Sequence, residues 1–154
     1  MKCLSIIEPF ATLIAIQEKR IETRSWKTNY RGKIAIHASK NINKEYKASC
    51  LKSEFLKILE DKYIFIKEND KVEYNFNFGK IIAIADLIDC VQMKELYKDY
   101  AVLENGTKVE GNELIFGDYT PGRYAWILDN IQLLNESIEV KGHLGLWNCN
   151  DVKI

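Results

Sequence analysis

The sequence predicts a mixed α+β domain whose strands are mostly antiparallel or close into a barrel, flanked by two main helices. Three observations carry that expectation. At least six stretches read as strands and two as solid helices, the two kinds do not alternate as βαβ units, and no internal repeat shows at any useful period. At 154 residues the chain has the size of one ordinary domain, enough to bury about two-thirds of its surface. Residues 1–154 are therefore expected to form one domain.

"KCLSII" opens as a short strand. "EPFATLIAIQEKR" then starts a helix, with Pro9 in the first turn after an acid suited to a helix N-terminus. Phe10, Leu13, Ile14 and Gln17 recur at i, i+3, i+4 and i+7, which predicts a compact, largely buried helix. "IETRSW" alternates as a strand, with Glu22, Arg24 and Trp26 on one face. "KTNYRG" is a turn and "KIAIHAS" a strong strand. Residues 43–60 make the best helix, its stripe formed by Tyr46, Cys50, Leu51, Phe55, Ile58 and Leu59. "YIFI" and "YNFNFG" read as a hairpin or an irregular loop, "KIIAIADLIDCV" as a long buried strand, and "MKELYKDY" as a short helix. A turn-rich stretch over 104–113, a strand in "YAWILDNIQLL" and the two glycines of "VKGHLGLWNC" complete the chain.

A hydrophobic fraction of 47% with 29% charged residues belongs to a globular protein and excludes a disordered tail. Two prolines and eight glycines leave no room for a linker or a low-complexity arm. "LSIIEPFATLIAI" is broken by Glu8 and Pro9, so neither a signal peptide nor a membrane span is expected. The four cysteines, Cys3, Cys50, Cys90 and Cys149, lie far apart, as expected of reduced thiols in a cytoplasmic protein. His143 and Cys149 are too few for a zinc site at short spacing, and no metal is expected.

A net charge of zero hides an asymmetry. Residues 19–40 hold seven Lys or Arg and one acid, Glu22, while the rest of the chain holds 15 bases and 21 acids. Such a distribution predicts a localised anion site and argues against coating long polyanions. Arg24 and Arg31 can fork onto phosphate oxygens, Lys19 can act as a flexible point charge, and Trp26 can stack a base. Taken alone, the same run also reads as a solvated basic edge.

The segment from Leu4 to Lys40 resembles the opening of the ASCH domain family (the activating-signal-cointegrator homology domain). The family's G-x-K-x-x-E-x-R signature reads here Gln17-x-Lys19-x-x-Glu22-x-Arg24, followed by Trp26 and the Arg31-Gly32 turn. "IADLIDC" resembles the family's central strand, "PGRYAWILDNIQLL" its closing strand and "VKGHLGLWN" its C-terminal segment. Gln17 replaces the signature Gly, which predicts a different C-cap, and Phe10 replaces a usual Trp.

The resemblance implies a PUA-like β-barrel with a cleft facing the long helix, no cofactor, and RNA, another nucleic acid or a nucleotide-like ligand as partner. Its expected contacts are Lys19, Arg24, Trp26, Arg31, Gly32, Ser39 and Lys40. Ser39 and Lys40 leave the strand end of "IHASK", where backbone amides can hold a phosphate. Glu22 and Asp86 are expected to organise the cleft, Glu22 by orienting Lys19 and Arg24, and Asp86 by facing Lys19 or a base edge. Some short relatives are amidohydrolases on acylated cytidines, which offers a rival reading: a hydrolase of modified nucleosides, or a ribonuclease, with Lys19 and Glu22 catalytic. Those relatives hold Thr where Glu22 stands, so that mechanism does not transfer intact. A protein-interaction module in a translation or transcription assembly is the third reading.

Overall fold

The computed structural model describes residues 1–150. The described chain runs through β1 (Lys2–Ile6), α1 (Phe10–Ala15), β2 (Ile21–Arg24), β3 (Gly32–Ala38), α2 (Lys44–Ser49) and α3 (Ser53–Leu59). It continues through β4 (Ile64–Ile66), β5 (Val72–Tyr74), β6 (Lys80–Leu96), β7 (Tyr100–Leu103) and β8 (Lys108–Glu110). The last elements are α4 (Asn112–Ile115), β9 (Tyr124–Glu139) and β10 (Leu146–Asn148).

One large sheet dominates. β10, β1, β3 and β6 lie side by side, β9 pairs with the other edge of β6, and β2 pairs with β9. Only β1–β3 is parallel; the other ladders are antiparallel, as expected. The expected barrel does not close. Bulges in the β3–β6 and β6–β9 ladders bend the sheet, but β2 and β10 remain unpaired edges. A side chain spans the seam instead: Arg24, at the end of β2, donates from Nη2 to the Ser5 carbonyl of β1 at 2.7 Å.

α1 fills the concave side of the sheet. Ala11 to Ala15 are all buried, so this stretch of the helix has no solvent face, and Thr12 is its one polar side chain. One face meets Ile6, Ile36, Trp126 and Leu128. The other meets Cys50, Phe55, Leu59, Phe76 and Phe116. Its first turn is tied by Glu8, whose carboxylate accepts from the Thr12 amide at 2.8 Å and the Thr12 hydroxyl at 2.6 Å.

Its C-terminus departs from expectation. Gln17 takes the left-handed conformation (φ 66°) that a glycine would supply. The Gln17 amide bonds to the Ile14 carbonyl and the Glu18 amide to the Leu13 carbonyl, both at 2.9 Å, a Schellman closure without glycine. The Gln17 side chain donates to the Ile131 carbonyl at 3.2 Å, offsetting part of the cost of that backbone.

Two further expectations are corrected. The helix over 43–60 is two helices, broken at Cys50–Lys52, where the chain turns through extended Lys52. The break keeps Cys50, Phe55 and Leu59 on the core while Leu51 turns outward. "MKELYKDY" is no helix: β6 runs on to Leu96 and turns back as β7. Val91 and Met93 alternate inward onto Ala101 and Leu103, and this pairing overrides the local helical spacing. "YIFI" and "VEY" form the β4–β5 hairpin.

Candidate functional site

The open seam between β1 and β2 is a cleft of about 730 Å³. Its walls come from the ends of both strands, from Glu45 and Tyr46 of α2, from the segment after α4, and from His143 to Gly145. Phe10 lies at its floor, edge-on to the Tyr46 ring at 5.3 Å.

β2 presents two signature residues here because it pairs with β9 in a fixed register, Glu22 opposite Trp126 and Arg24 opposite Tyr124. Glu22 is buried; it accepts from the Thr23 amide at 3.1 Å and pairs with Arg24 Nη2 at 3.2 Å. The same Nη2 bonds to the Ser5 carbonyl, while Arg24 Nε is buried with no hydrogen-bond partner among the described residues. Just beyond, Trp26 is partly exposed at the rim, its ring edge-on to the buried Trp126.

A second guanidinium faces the cleft that the sequence reading did not single out. Arg123 pairs with Asp118 at 3.5 Å and donates to the Asp118 and Thr23 carbonyls. The Thr120 hydroxyl, donating at 2.6 Å, is the main cause that holds the Asp118 carboxyl below its usual range, and Arg123 adds to it. Arg123 stands inside "PGRY", a turn whose chemistry is legible only once β9 is paired with β2. With Arg24 and Arg123 set against Glu22, Glu45 and Asp118, the cleft carries mixed charge.

Lys19 lies outside the lining. It is wholly buried behind Phe10, its ammonium 5.8 Å from that ring and donating to the Ile21 carbonyl. Burial pushes its pKa down; Glu22 and Glu113 oppose that shift, and Arg24 adds to it. The rest of the basic run fans out. Arg20 reaches Asp129 at 3.9 Å, Arg31 reaches Asp89 at 3.6 Å and caps its own turn at Thr28 and Tyr30. Asp86 pairs with Lys33 at 3.8 Å and Asn130 at 3.2 Å, not with Lys19. Gly32 serves the turn: with φ 131°, a Cβ there would sit 3.1 Å from the Tyr30 hydroxyl.

Ser39 lines the cleft and also a second groove, where Lys40, Phe78 and the 139–144 strap surround it. His37 sits beneath that strap. Its Nε2–H donates to the Val140 carbonyl at 2.8 Å, so in the neutral ring Nδ1 accepts from the Ser5 hydroxyl at 2.9 Å. Trp147 Nε1 donates to the same hydroxyl at 3.2 Å. His37 is thus a satisfied core histidine that ties the strap to β1. Among the described residues no group of three His, Cys, Asp or Glu is placed to hold a metal, and no helix is long and apolar enough to cross a membrane.

A bent, mostly antiparallel sheet around a central helix, with Glu22 and Arg24 in its open seam, is consistent with a PUA-like α+β domain. The family model of the ASCH domain matches residues 4–135, and the chain belongs to that family. It is similar to human Activating signal cointegrator 1, with 29% identity over 148 residues, covering 96% of this chain and 22% of that protein. The mouse protein of the same name is 23% identical over the same coverage. The chain thus spans about a fifth of the length of these curated relatives.

Proposed function

We propose that the chain is a nucleic-acid-binding domain, acting in the cytoplasm without a cofactor, that takes a segment of single-stranded RNA or a nucleotide-like ligand in the seam cleft. The observation that carries this reading is Arg24. Its guanidinium is anchored on one nitrogen by Ser5 and Glu22, while the side chain, 24% exposed, still lines the cleft. A guanidinium held in place this way is ready to fork onto a phosphate or base oxygen. Arg123 supplies the second cation, Trp26 the stacking face, and Ser39 with Lys40 the exit toward the neighbouring groove. Lys19 and Glu22 hold the arrangement from behind, and Arg31 with Gly32 shapes the outer turn.

The test is fluorescence anisotropy with short labelled RNA and DNA strands across a salt series. About three phosphate contacts give a log–log slope of roughly −2 for single strands. A slope near zero, or binding unchanged by Arg24→Ala, overturns the reading.

The hydrolase reading rests on one observation, the buried Lys19 with its lowered pKa close to Glu22. Turnover of an N-acylated cytidine that disappears in Lys19→Ala supports it. No turnover across acylated nucleosides and short RNAs removes it, and that is the expected outcome.

A further inference from the structure

Beside the cleft, on the far side of α4, lies a smaller groove of about 430 Å³. It is lined by the tip of the β6–β7 hairpin, Leu96 to Lys98, and by the segment from Leu114 to Tyr119. Three exposed large apolar residues converge on it: Leu96 (47%), Tyr97 (46%) and Ile115 (44%). Such residues scattered singly need no explanation, but a cluster marks a contact surface.

Two features decide what the contact is. First, the Tyr97 ring is already stacked on Tyr100 at 4.7 Å and 27° between planes, and the Lys108 ammonium lies 4.6 Å from the centre of the Tyr100 ring. The Tyr97 amide bonds to the Tyr100 carbonyl at 2.8 Å and its hydroxyl donates to Glu95. The platform is therefore fixed before anything binds to it. Second, Asp118, the one acid that lines the groove among the described residues, is taken up by Arg123 and Thr120. Lys98 has no ion-pair partner among the described residues. The groove thus presents an aromatic plane and a free cation, which matches a base and its phosphate better than an apolar peptide.

Ile115, Gly117 and Asp118 line both cavities, so the two form one continuous surface. We infer that the groove is a second nucleotide subsite, taking the residue next to the one in the cleft on a single-stranded nucleic acid. Tyr97 stacks its base and Lys98 meets its phosphate. This rests on the cleft reading above and narrows its ligand: a strand, not a free nucleoside.

The test compares a labelled mononucleotide with an oligomer of about eight nucleotides, each with uracil and with adenine bases, on the intact chain and its variants. Tyr97→Ala is expected to weaken the longer strand about tenfold or more and leave the mononucleotide unchanged. Tyr97→Phe, which keeps the ring, should bind as the parent does. Lys98→Ala should reduce the salt slope for the longer strand by about one phosphate contact. If Arg24→Ala abolishes binding while Tyr97→Ala binds both lengths like the parent, the cleft reading stands and the second subsite is wrong. If the parent binds neither length, both readings fall. A protein partner whose capture depends on Tyr97, with oligomer affinity unmoved, also overturns the subsite.

Discussion

Trp126 holds Trp26 in two ways at once: its indole Nε1 donates to the Trp26 carbonyl at 3.2 Å, and the two rings meet edge to face at 4.7 Å and 86°. One indole is fully buried and the other sits at the rim of the cleft, so the buried ring fixes the exposed one. Their substitutions should separate stability from binding. Trp126→Phe removes the hydrogen bond and leaves a void, at a cost of about 2–3 kcal/mol. Trp26→Ala should cost much less stability yet weaken a stacked base by roughly 1–3 kcal/mol. Melting temperature and dissociation constant, measured on both variants, check the split.

Glu22→Gln is expected to lower the melting temperature and keep ligand affinity within about tenfold. Arg24 loses its carboxylate at 3.2 Å, and Lys19 loses the nearby negative charge that partly offsets its burial. A loss of roughly 1–3 kcal/mol follows for a pair this enclosed. A variant that is as stable as the parent yet binds nothing means that Glu22 contacts the ligand directly.

Glu8 should make stability depend on pH. Burial against the α1 core pushes its carboxyl from its ordinary 4.5 up to about 7, against the lowering effect of the Thr12 hydrogen bonds. A folded pKa above the unfolded one means that the native state holds the proton more tightly. The Glu8 contribution is therefore full below about 4.5 and is lost as pH rises toward about 7, by about 3 kcal/mol in all. Glu8→Gln keeps an acceptor for the Thr12 amide and should flatten this part of the curve, with higher stability than the parent at pH 8. Denaturant midpoints across the pH range give the comparison.

Gly142, in the strap, and Gly145, just beyond it, should respond differently to alanine. A Cβ at Gly142 would fall 2.7 Å from His37 Cε1 and 2.8 Å from the Ser5 hydroxyl, so Gly142→Ala must displace the strap. A loss of about 1–3 kcal/mol and weaker ligand binding are expected. Gly145 has open space around it but φ 68°, so Gly145→Ala should cost only the left-handed backbone term of about 1 kcal/mol. Equal effects on melting temperature and affinity would mean that the contact with His37 does not set the strap.

How far the sequence could be read depended on the range of the forces involved. α1 was legible because its apolar period, its preceding acid and Pro9 agree within one short window. The strands at 80–91 and 124–134 were legible as apolar runs, but not their true lengths, which come from bulged pairing with each other. The β6–β7 turn was misread because Met93, Leu96, Tyr97 and Tyr100 carry helical spacing, while pairing between strands decides their state. In the cleft, the alternation in β2 correctly put Glu22, Arg24 and Trp26 together. The burial of Lys19, the dispersal of Arg20, Arg31 and Lys33 to separate acids, and the arrival of Arg123 all depend on strand register that no local pattern encodes.

The seam is built from segments far apart in sequence: Ser5 stands on one side, and the strap with Trp147 comes from more than 130 residues later. During synthesis the signature run from Gln17 to Arg24 leaves the ribosome before the strap does, with its lysine, glutamate and arginine already present. It then waits for more than a hundred residues, as domains complete themselves only when their distant partners emerge. Until Val140 to Asn148 follow, His37 lacks its carbonyl, the Ser5 hydroxyl lacks the indole and β1 has a bare edge. A nascent chain therefore carries the residues for recognition without a place to use them, and binding competence arrives only once the strap and β10 have been made.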